Sequence, residues 1–189
     1  YDCYVVGTGP AGMTVALELA TSMKRVLVLE TGEDMQARGM SDSIGYGHYS
    51  GAYWNRHALK AFGGTSNVWT GWCATLRDID FDNPAVGVSW PISRSDLLPS
   101  YRKAASILDR DPSIVDFERE FIPGFLYRPF SRHAPTRFAE KYLETLRSSP
   151  YVDVATGCSA VGFDADQSRR SVQTIHYFHH ASGTSRQLT

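Results

Sequence analysis

The 189 residues carry 19 basic and 20 acidic side chains, a formal charge of −1 with histidines neutral, so no global field points to nucleic acid or to an anionic membrane. Hydrophobic residues make up 42% and aromatics 12%, a globular balance, and no apolar run approaches the roughly eighteen residues a membrane helix needs. Three widely spaced cysteines, Cys3, Cys73 and Cys158, supply neither a disulfide framework nor a CxxC metal site, and each is expected to behave as a small buried hydrophobe.

Residues 2–6 (DCYVV) form a short apolar run, followed at once by GTGPAG and then MTVALELATSM. Val15, Leu19 and Met23 recur at spacings that place them on one side of a helix. A second apolar run, RVLVLE at 25–30, ends on an acid. Strand, Gly-rich turn, helix and strand make a βαβ unit whose crossover is expected to be right-handed. Gly7, Thr8, Gly9, Pro10, Ala11 and Gly12 then spell GxGxxG in the context that lifts this motif above chance. Gly7 makes the tight turn, Gly9 lets a pyrophosphate approach the backbone, and Gly12 lets the helix sit close to the strand. The helix N-terminus offers N–H groups and a partial positive charge to the phosphate. Glu30, followed by Thr31, lies at the end of the second strand, where its carboxylate is placed to accept hydrogen bonds from an adenosine ribose. These features point to a dinucleotide and leave NAD and FAD both open.

Periodicity dissolves from 31 to 62. A stretch of about thirty residues without regular structure is usually a lid or a binding loop, and its aromatics Tyr46, Tyr49, Tyr53 and Trp54 argue against disorder. It leads into FGGTSNVWTGWCATLRDIDF at 62–81. Gly63 and Gly64 permit positive φ and close backbone approach; Thr65, Ser66 and Asn67 add hydrogen-bonding groups; Trp69 and Trp72 add flat apolar walls. A dehydrogenase built for free NAD continues directly into further βα units, whereas a second segment of this composition suits a larger, permanently held cofactor with an isoalloxazine ring, which favours FAD.

Farther along, WPISRSDLLPSYRKAASILDR at 90–110 reads as a helix, with Ser93 three residues before Asp96 as an N-terminal cap and Pro99 near its start. Residues 111–135 are irregular and rich in Phe and Pro, and 136–148 form another amphipathic helix. The tail alternates and breaks like two or three consecutive strands. The chain opens on a strand without an initiator Met and stops within a strand series, as expected of a fragment at both ends.

These segments in this order resemble the glucose-methanol-choline family of flavin oxidoreductases, in particular its sugar-oxidising branch akin to pyranose oxidase, glucoside 3-dehydrogenase and fructose dehydrogenase. The resemblance runs through YVVGTGPAG, VLVLETG, FGGTSNVWTGWCATLRDIDF, WPISRSDLLPSYRKA and TRFAEKYLETLRSSPYVDV. It implies an α/β, Rossmann-type FAD-binding domain, here incomplete, with the start of an inserted substrate-side domain. The expected division is 1–80 for the βαβ unit, lid and flavin segment, 81–150 for the inserted region, and 151–189 for strands returning to the FAD domain. By the same resemblance, Gly63, Gly64, Thr65, Ser66, Asn67, Trp69, Thr70 and Gly71 line FAD, and a main-chain contact to the adenine falls at about Ala160. The implied reaction is oxidation of a sugar or alcohol CH–OH group by hydride transfer to FAD, with the electron acceptor (oxygen, quinone or cytochrome) unassigned.

Two departures matter. Where pyranose oxidase-like members carry a flavin-linked His before the Trp, this chain has Val68, so non-covalent FAD is expected. The family's catalytic His with its His or Asn partner belongs to a later region, so no catalytic residue is assigned within 1–189. His48, His57, His133, His176, His179 and His180 are expected to be surface or packing residues, and adjacent His179 and His180 would point to opposite strand faces, poor geometry for a metal. Trp54, Trp72 and Trp90 are read as core, and Arg77 with Asp78 as a local ion pair or cap. A nicotinamide-dependent dehydrogenase, a binding-only or split-subunit flavoprotein needing a second chain, and a non-functional truncated product share parts of this pattern.

Overall fold

The computed structural model describes residues 1–33, 59–115, 118–127, 130–131 and 134–189. Along the chain run β1 (Cys3–Val6), α1 (Pro10–Thr21), β2 (Val26–Leu29), a 3₁₀ turn at Gly64–Asn67, the short α2 (Asp78–Phe81), β3 (Asp82–Asn83), β4 (Val88–Ser89), α3 (Arg94–Ile107), a 3₁₀ turn at Pro112–Val115, β5 (Arg119–Ile122), β6 (Phe125–Tyr127), α4 (Phe138–Ser148), β7 (Val152–Ala155), β8 (Cys158–Ala165), β9 (Val172–His179) and β10 (Thr184–Leu188). They form two compact units, Tyr1–Trp69 with Arg137–Thr189, and Thr70–Thr136. The sequence suggested breaks near 80 and 150. Residues 70–80 belong instead with the second unit, and α4 joins the first because Phe138 and Leu146 are buried where the helix packs on α1 and β7.

The first unit is built on a parallel sheet of order β1-β2-β7. β2 pairs on both sides, Val26 with Cys3 and Val152, Leu29 with Val6 and Ala155. That position explains its unbroken apolar sequence, since a strand covered on both faces has no polar side to show, and all four of its residues are buried. α1 begins with Pro10 in its first turn, where a missing N–H costs nothing. Its buried face is Met13 and Ala16, while Val15 and Met23 are exposed, so the stripe expected from the large aliphatics is not the packing face. Small residues win here because they let the helix lie close to the sheet.

β8, β9 and β10 form an antiparallel sheet of their own. It is joined to β2 through a buried cluster of Leu27, Leu29, Cys158 and Ile175. Burial pushes the Cys158 thiol upward, outweighing the opposing pull of Arg186, as expected of a packing cysteine. Cys3 and Cys73 are only half-buried.

In the second unit, Ser93 and Asp96 close the expected cap of α3: the Ser93 N–H donates to Asp96 Oδ2 at 2.8 Å, and the Asp96 N–H donates to Ser93 Oγ at 3.3 Å. Pro99 lies within the helix rather than in its first turn. The stretch read as irregular contains a hairpin, β5 against β6, turned at Pro123-Gly124 with Gly124 at φ 83°. Both of its strands are exposed, so no alternating burial marks them in the sequence. Trp72 and Trp90 are not core, at 52% and 51% exposed. Trp90 instead meets Phe81 edge-on with ring centroids 5.8 Å apart. Arg77 stands at the N-terminal cap of α2 and pairs with Asp80 at 3.4 Å.

Candidate cofactor site

The glycine turn lies in the first unit between β1 and α1. Gly7 sits at φ 91°, a conformation that strains any residue with a side chain, and its N–H donates to the Leu29 carbonyl at 2.7 Å. The turn is thereby pinned to the end of β2. Among the described residues a Cβ on Gly7 or Gly9 would meet nothing within 4 Å, so none of them covers the outer side of the turn. A Cβ on Gly12 would collide with the Gly7 carbonyl and lie 3.3 Å from Val5 Cγ1, which is why α1 can start this close to the strand. Gly9 precedes α1 without capping it through a side chain, and no acidic residue occupies the first turn. The first N–H groups of a helix have no intrahelical acceptor, so this end presents donors and a partial positive charge at the turn.

Glu30 is buried, 6% exposed, and among the described residues its carboxylate accepts three hydrogen bonds. Oε2 accepts from the Thr8 N–H at 2.8 Å and from the Thr8 hydroxyl at 2.6 Å; Oε1 accepts from the Gly32 N–H at 2.7 Å. Thr8 Oγ1 in turn accepts from the Gly63 N–H at 3.0 Å. One carboxylate therefore fixes the turn, the chain after β2 and the start of GGTSN together. A carboxylate offers about four lone-pair sites, which leaves roughly one for a further donor.

The two glycines of GGTSN serve different neighbours. Gly63, at φ 89°, turns its Cβ position toward α4, where a methyl would sit 2.8 Å from Ala139 Cβ. Gly64, at φ 55°, faces the phosphate turn, its Cβ position 3.2 Å from Gly9 Cα. Ser66 is buried: its hydroxyl donates to the Gly63 carbonyl at 2.7 Å and accepts from the Phe138 N–H at 3.2 Å. Asn67 Nδ2 donates to the Phe62 carbonyl at 2.8 Å, and Arg137, which no sequence motif singled out, donates through Nη1 to the Ser66 and Trp69 carbonyls at 2.9 and 3.0 Å. Thr65 is exposed.

The structure thus brings Gly7, Thr8, Gly9, Glu30, Gly63 and Gly64 into one connected group. Thr31 meets β8 through Ser159, whose hydroxyl donates to Thr31 Oγ1 at 3.2 Å and lies 2.8 Å from His180 Nε2. Ala160, the next residue, packs partly buried against the Leu27 cluster. Thr70 and Gly71 belong to the other unit, where Gly71 at φ 76° lies against Pro135 and Arg110. His176 pairs with Asp164 at 2.7 Å and His179 with Ser182 at 2.8 Å. Among the described residues no group of three or more metal-ligating side chains converges. Tyr46, Tyr49, Tyr53, Trp54, His48, His57 and His133 lie outside the described residues.

No family model and no curated protein matches the chain by sequence. Its fold does match solved structures. Pyridoxine 4-oxidase from Mesorbium loti aligns over 99% of this chain at 16% identity and a TM-score of 0.58. A fungal aryl-alcohol oxidase aligns over 100% at 15% identity and 0.61, and formate oxidase over 99% at 14% identity and 0.54. The chain covers 47%, 44% and 43% of those chains respectively, less than half of each. Such identities establish a shared fold, carried here by a chain equivalent to part of each oxidase.

Proposed function

We propose that this chain is the FAD-binding portion of a flavin-dependent oxidoreductase of the glucose-methanol-choline type, acting on a sugar or alcohol CH–OH group. The observation that carries the reading is the turn at Gly7 and Gly9, whose outer side no described residue covers, backed by the uncapped α1 N-terminus and closed on one side by Gly64. A pyrophosphate fits such a place: it needs backbone N–H donors, positive potential and no Cβ in the way. Gly7, Gly9, Ala11 and Gly12 would hold the phosphates, and the remaining acceptor capacity of Glu30 would take a ribose hydroxyl. The three fold relatives are named as oxidases, which supports FAD over a nicotinamide cofactor.

Bound FAD would supply the two-electron acceptor for the substrate's hydride. The chain's own part is to fix the cofactor's pyrophosphate and adenosine and to hold the GGTSN segment in register with them. The base that takes the hydroxyl proton belongs to another part of the protein in this reading, and no described histidine is assigned to it. Val68 follows the 3₁₀ turn where a covalently attaching His would stand, so the flavin is held non-covalently.

The test is the visible absorption spectrum of the purified chain, before and after acid precipitation, with FAD and NAD titrations of cofactor-depleted protein. A flavin spectrum that passes to the supernatant on acid treatment is the expected result. Flavin retained by the pellet would overturn non-covalent attachment, and protein that binds NAD but not added FAD would overturn the reading as a whole.

A further inference from the structure

Thr31, Ser159 and His180 form a chain of side chains that reaches from the end of β2 to the turn after β9. Backbone bonds bring them together. The Cys158 N–H donates to the Glu30 carbonyl at 2.8 Å and the Gly157 N–H to the Gly32 carbonyl at 3.1 Å, so the start of β8 clamps the main chain on either side of Thr31. The His180 N–H in turn donates to the Gly157 carbonyl at 2.9 Å. On this frame Ser159 Oγ donates to Thr31 Oγ1 at 3.2 Å and lies 2.8 Å from His180 Nε2.

A hydroxyl has a single proton to give. Ser159 gives its own to Thr31, so its short contact with His180 is a hydrogen bond only when Nε2 carries a proton and donates to Ser159 Oγ. An imidazolium donates through Nε2 as well, so the direction of the chain does not depend on the charge of His180. It runs from His180 Nε2–H to Ser159 Oγ–H to Thr31 Oγ1, and ends on a hydroxyl whose proton meets no acceptor among the described residues. Thr31 is only half-buried, which leaves it surface to offer a ligand. It directly follows Glu30, whose carboxylate takes the Gly32 N–H at 2.7 Å and keeps room for about one further donor. An acceptor and a donor in adjacent positions suit a nucleoside, whose ribose hydroxyls donate and whose ribose oxygens and adenine ring nitrogens accept.

Resting on the FAD reading, we propose that the Thr31 hydroxyl donates to an acceptor on the adenosine half of the cofactor, and that Ser159 and His180 are positioning residues that hold it in that direction. With Ser159 donating into its lone pair, Thr31 cannot turn its proton back to Ser159 and presents it to the ligand. Without His180 as donor, the Ser159 rotor is free to reverse, and the Thr31 proton is then spent inside the protein.

The test is equilibrium titration of cofactor-depleted chain with FAD and, separately, with ADP, which carries the adenosine half without the flavin. Thr31→Val, which keeps the β-branched shape, is expected to weaken both ligands about tenfold. Ser159→Ala and His180→Phe are each expected to weaken both about three- to fivefold. The phenylalanine keeps a ring against Phe178, which meets His180 edge-on at 5.2 Å, so it removes the donor and not the packing. His180→Gln, whose amide can donate in the same place, is expected to bind both ligands within about twofold of the wild type. Because all three residues act through one hydroxyl, Thr31→Val combined with His180→Phe should bind no more weakly than Thr31→Val alone. Thr31→Val binding FAD and ADP as tightly as the wild type would overturn the proposal. So would equal losses in His180→Gln and His180→Phe, or losses that multiply in the double variant. A wild type that binds ADP but not FAD would overturn the flavin reading alone, with the same variants deciding this proposal on ADP; one that binds neither would overturn both.

Discussion

The Thr8 hydroxyl donates to Glu30 Oε2 at 2.6 Å, and the same hydroxyl oxygen accepts from the Gly63 N–H at 3.0 Å. The acid at the end of β2 therefore acts first on the protein itself, bonding the Gly-rich turn directly and the GGTSN segment through Thr8. Removing the charge while keeping the shape, Glu30→Gln, turns an amide toward the Thr8 N–H or the Gly32 N–H. That loss should cost about 1.5–3 kcal/mol of stability in denaturant unfolding. Flavin affinity should fall beyond what the stability loss explains, because the ribose acceptor weakens and the turn loosens together. A Glu30→Gln chain as stable as the wild type would contradict the hydrogen bonding described here.

Thr8→Val separates the two effects. It keeps the β-branched shape and the backbone bond to Glu30 but removes the hydroxyl that links Glu30 to Gly63. A loss of about 1–3 kcal/mol in stability is expected, since the Gly63 N–H is left buried without its acceptor. Unfolding curves and FAD titration of this variant beside Glu30→Gln show how much of the flavin affinity depends on register between the two glycine segments.

How much of this was legible in the sequence varies by residue. β1, α1 and β2 announced themselves through apolar runs around GTGPAG, because local periodicity and turn chemistry determine a βαβ unit. The burial face of α1 did not: Met13 and Ala16 face inward only because Gly12 lets the helix approach the strand, a tertiary fact. In the same way the sequence shows that Gly63 and Gly64 lack side chains but not which neighbour each admits. The roles of Arg137 and Ser159 depend on partners far along the chain, and no motif could have flagged them. The β5–β6 hairpin was hidden by strands exposed on both faces, although Pro123-Gly124 is a recognisable turn signal.

Acid should loosen α3 from its N-terminus. The backbone N–H of Ser93, and then its hydroxyl, hold the Asp96 carboxyl below the usual aspartate range. A carboxyl whose folded pKa is depressed contributes stability above its unfolded value of about 3.9, and loses it as pH falls through the folded value. Melting of wild type and Asp96→Asn should therefore differ at neutral pH and converge on acidification below about pH 4. Curves that stay parallel down to the acid limit would show that the cap contributes nothing through its charge.

Gly63 and Gly64 give the sharpest separation between fold and cofactor. An alanine at Gly63 must adopt φ 89° with its methyl 2.8 Å from Ala139 Cβ and 2.9 Å from Ala139 N. The backbone of α4 cannot yield as a flexible side chain would, so overpacking and left-handed strain together should cost about 2–5 kcal/mol. At Gly64 the φ of 55° lies in the ordinary left-handed well, and the added methyl meets only the Gly9 backbone, at 3.2 Å from Cα and 3.6 Å from N. Gly64→Ala should lose about 1–2 kcal/mol, but the displacement falls on the turn that is proposed to receive the pyrophosphate. Gly63→Ala is thus expected to lower the unfolding midpoint most, and Gly64→Ala to lower FAD affinity most for its stability loss. Unfolding midpoints and flavin-fluorescence titrations on the same two variants decide it. If Gly64→Ala binds FAD as tightly as the wild type, the GGTSN segment is a structural clamp on α4 and the Gly9 turn, without a part in holding the cofactor.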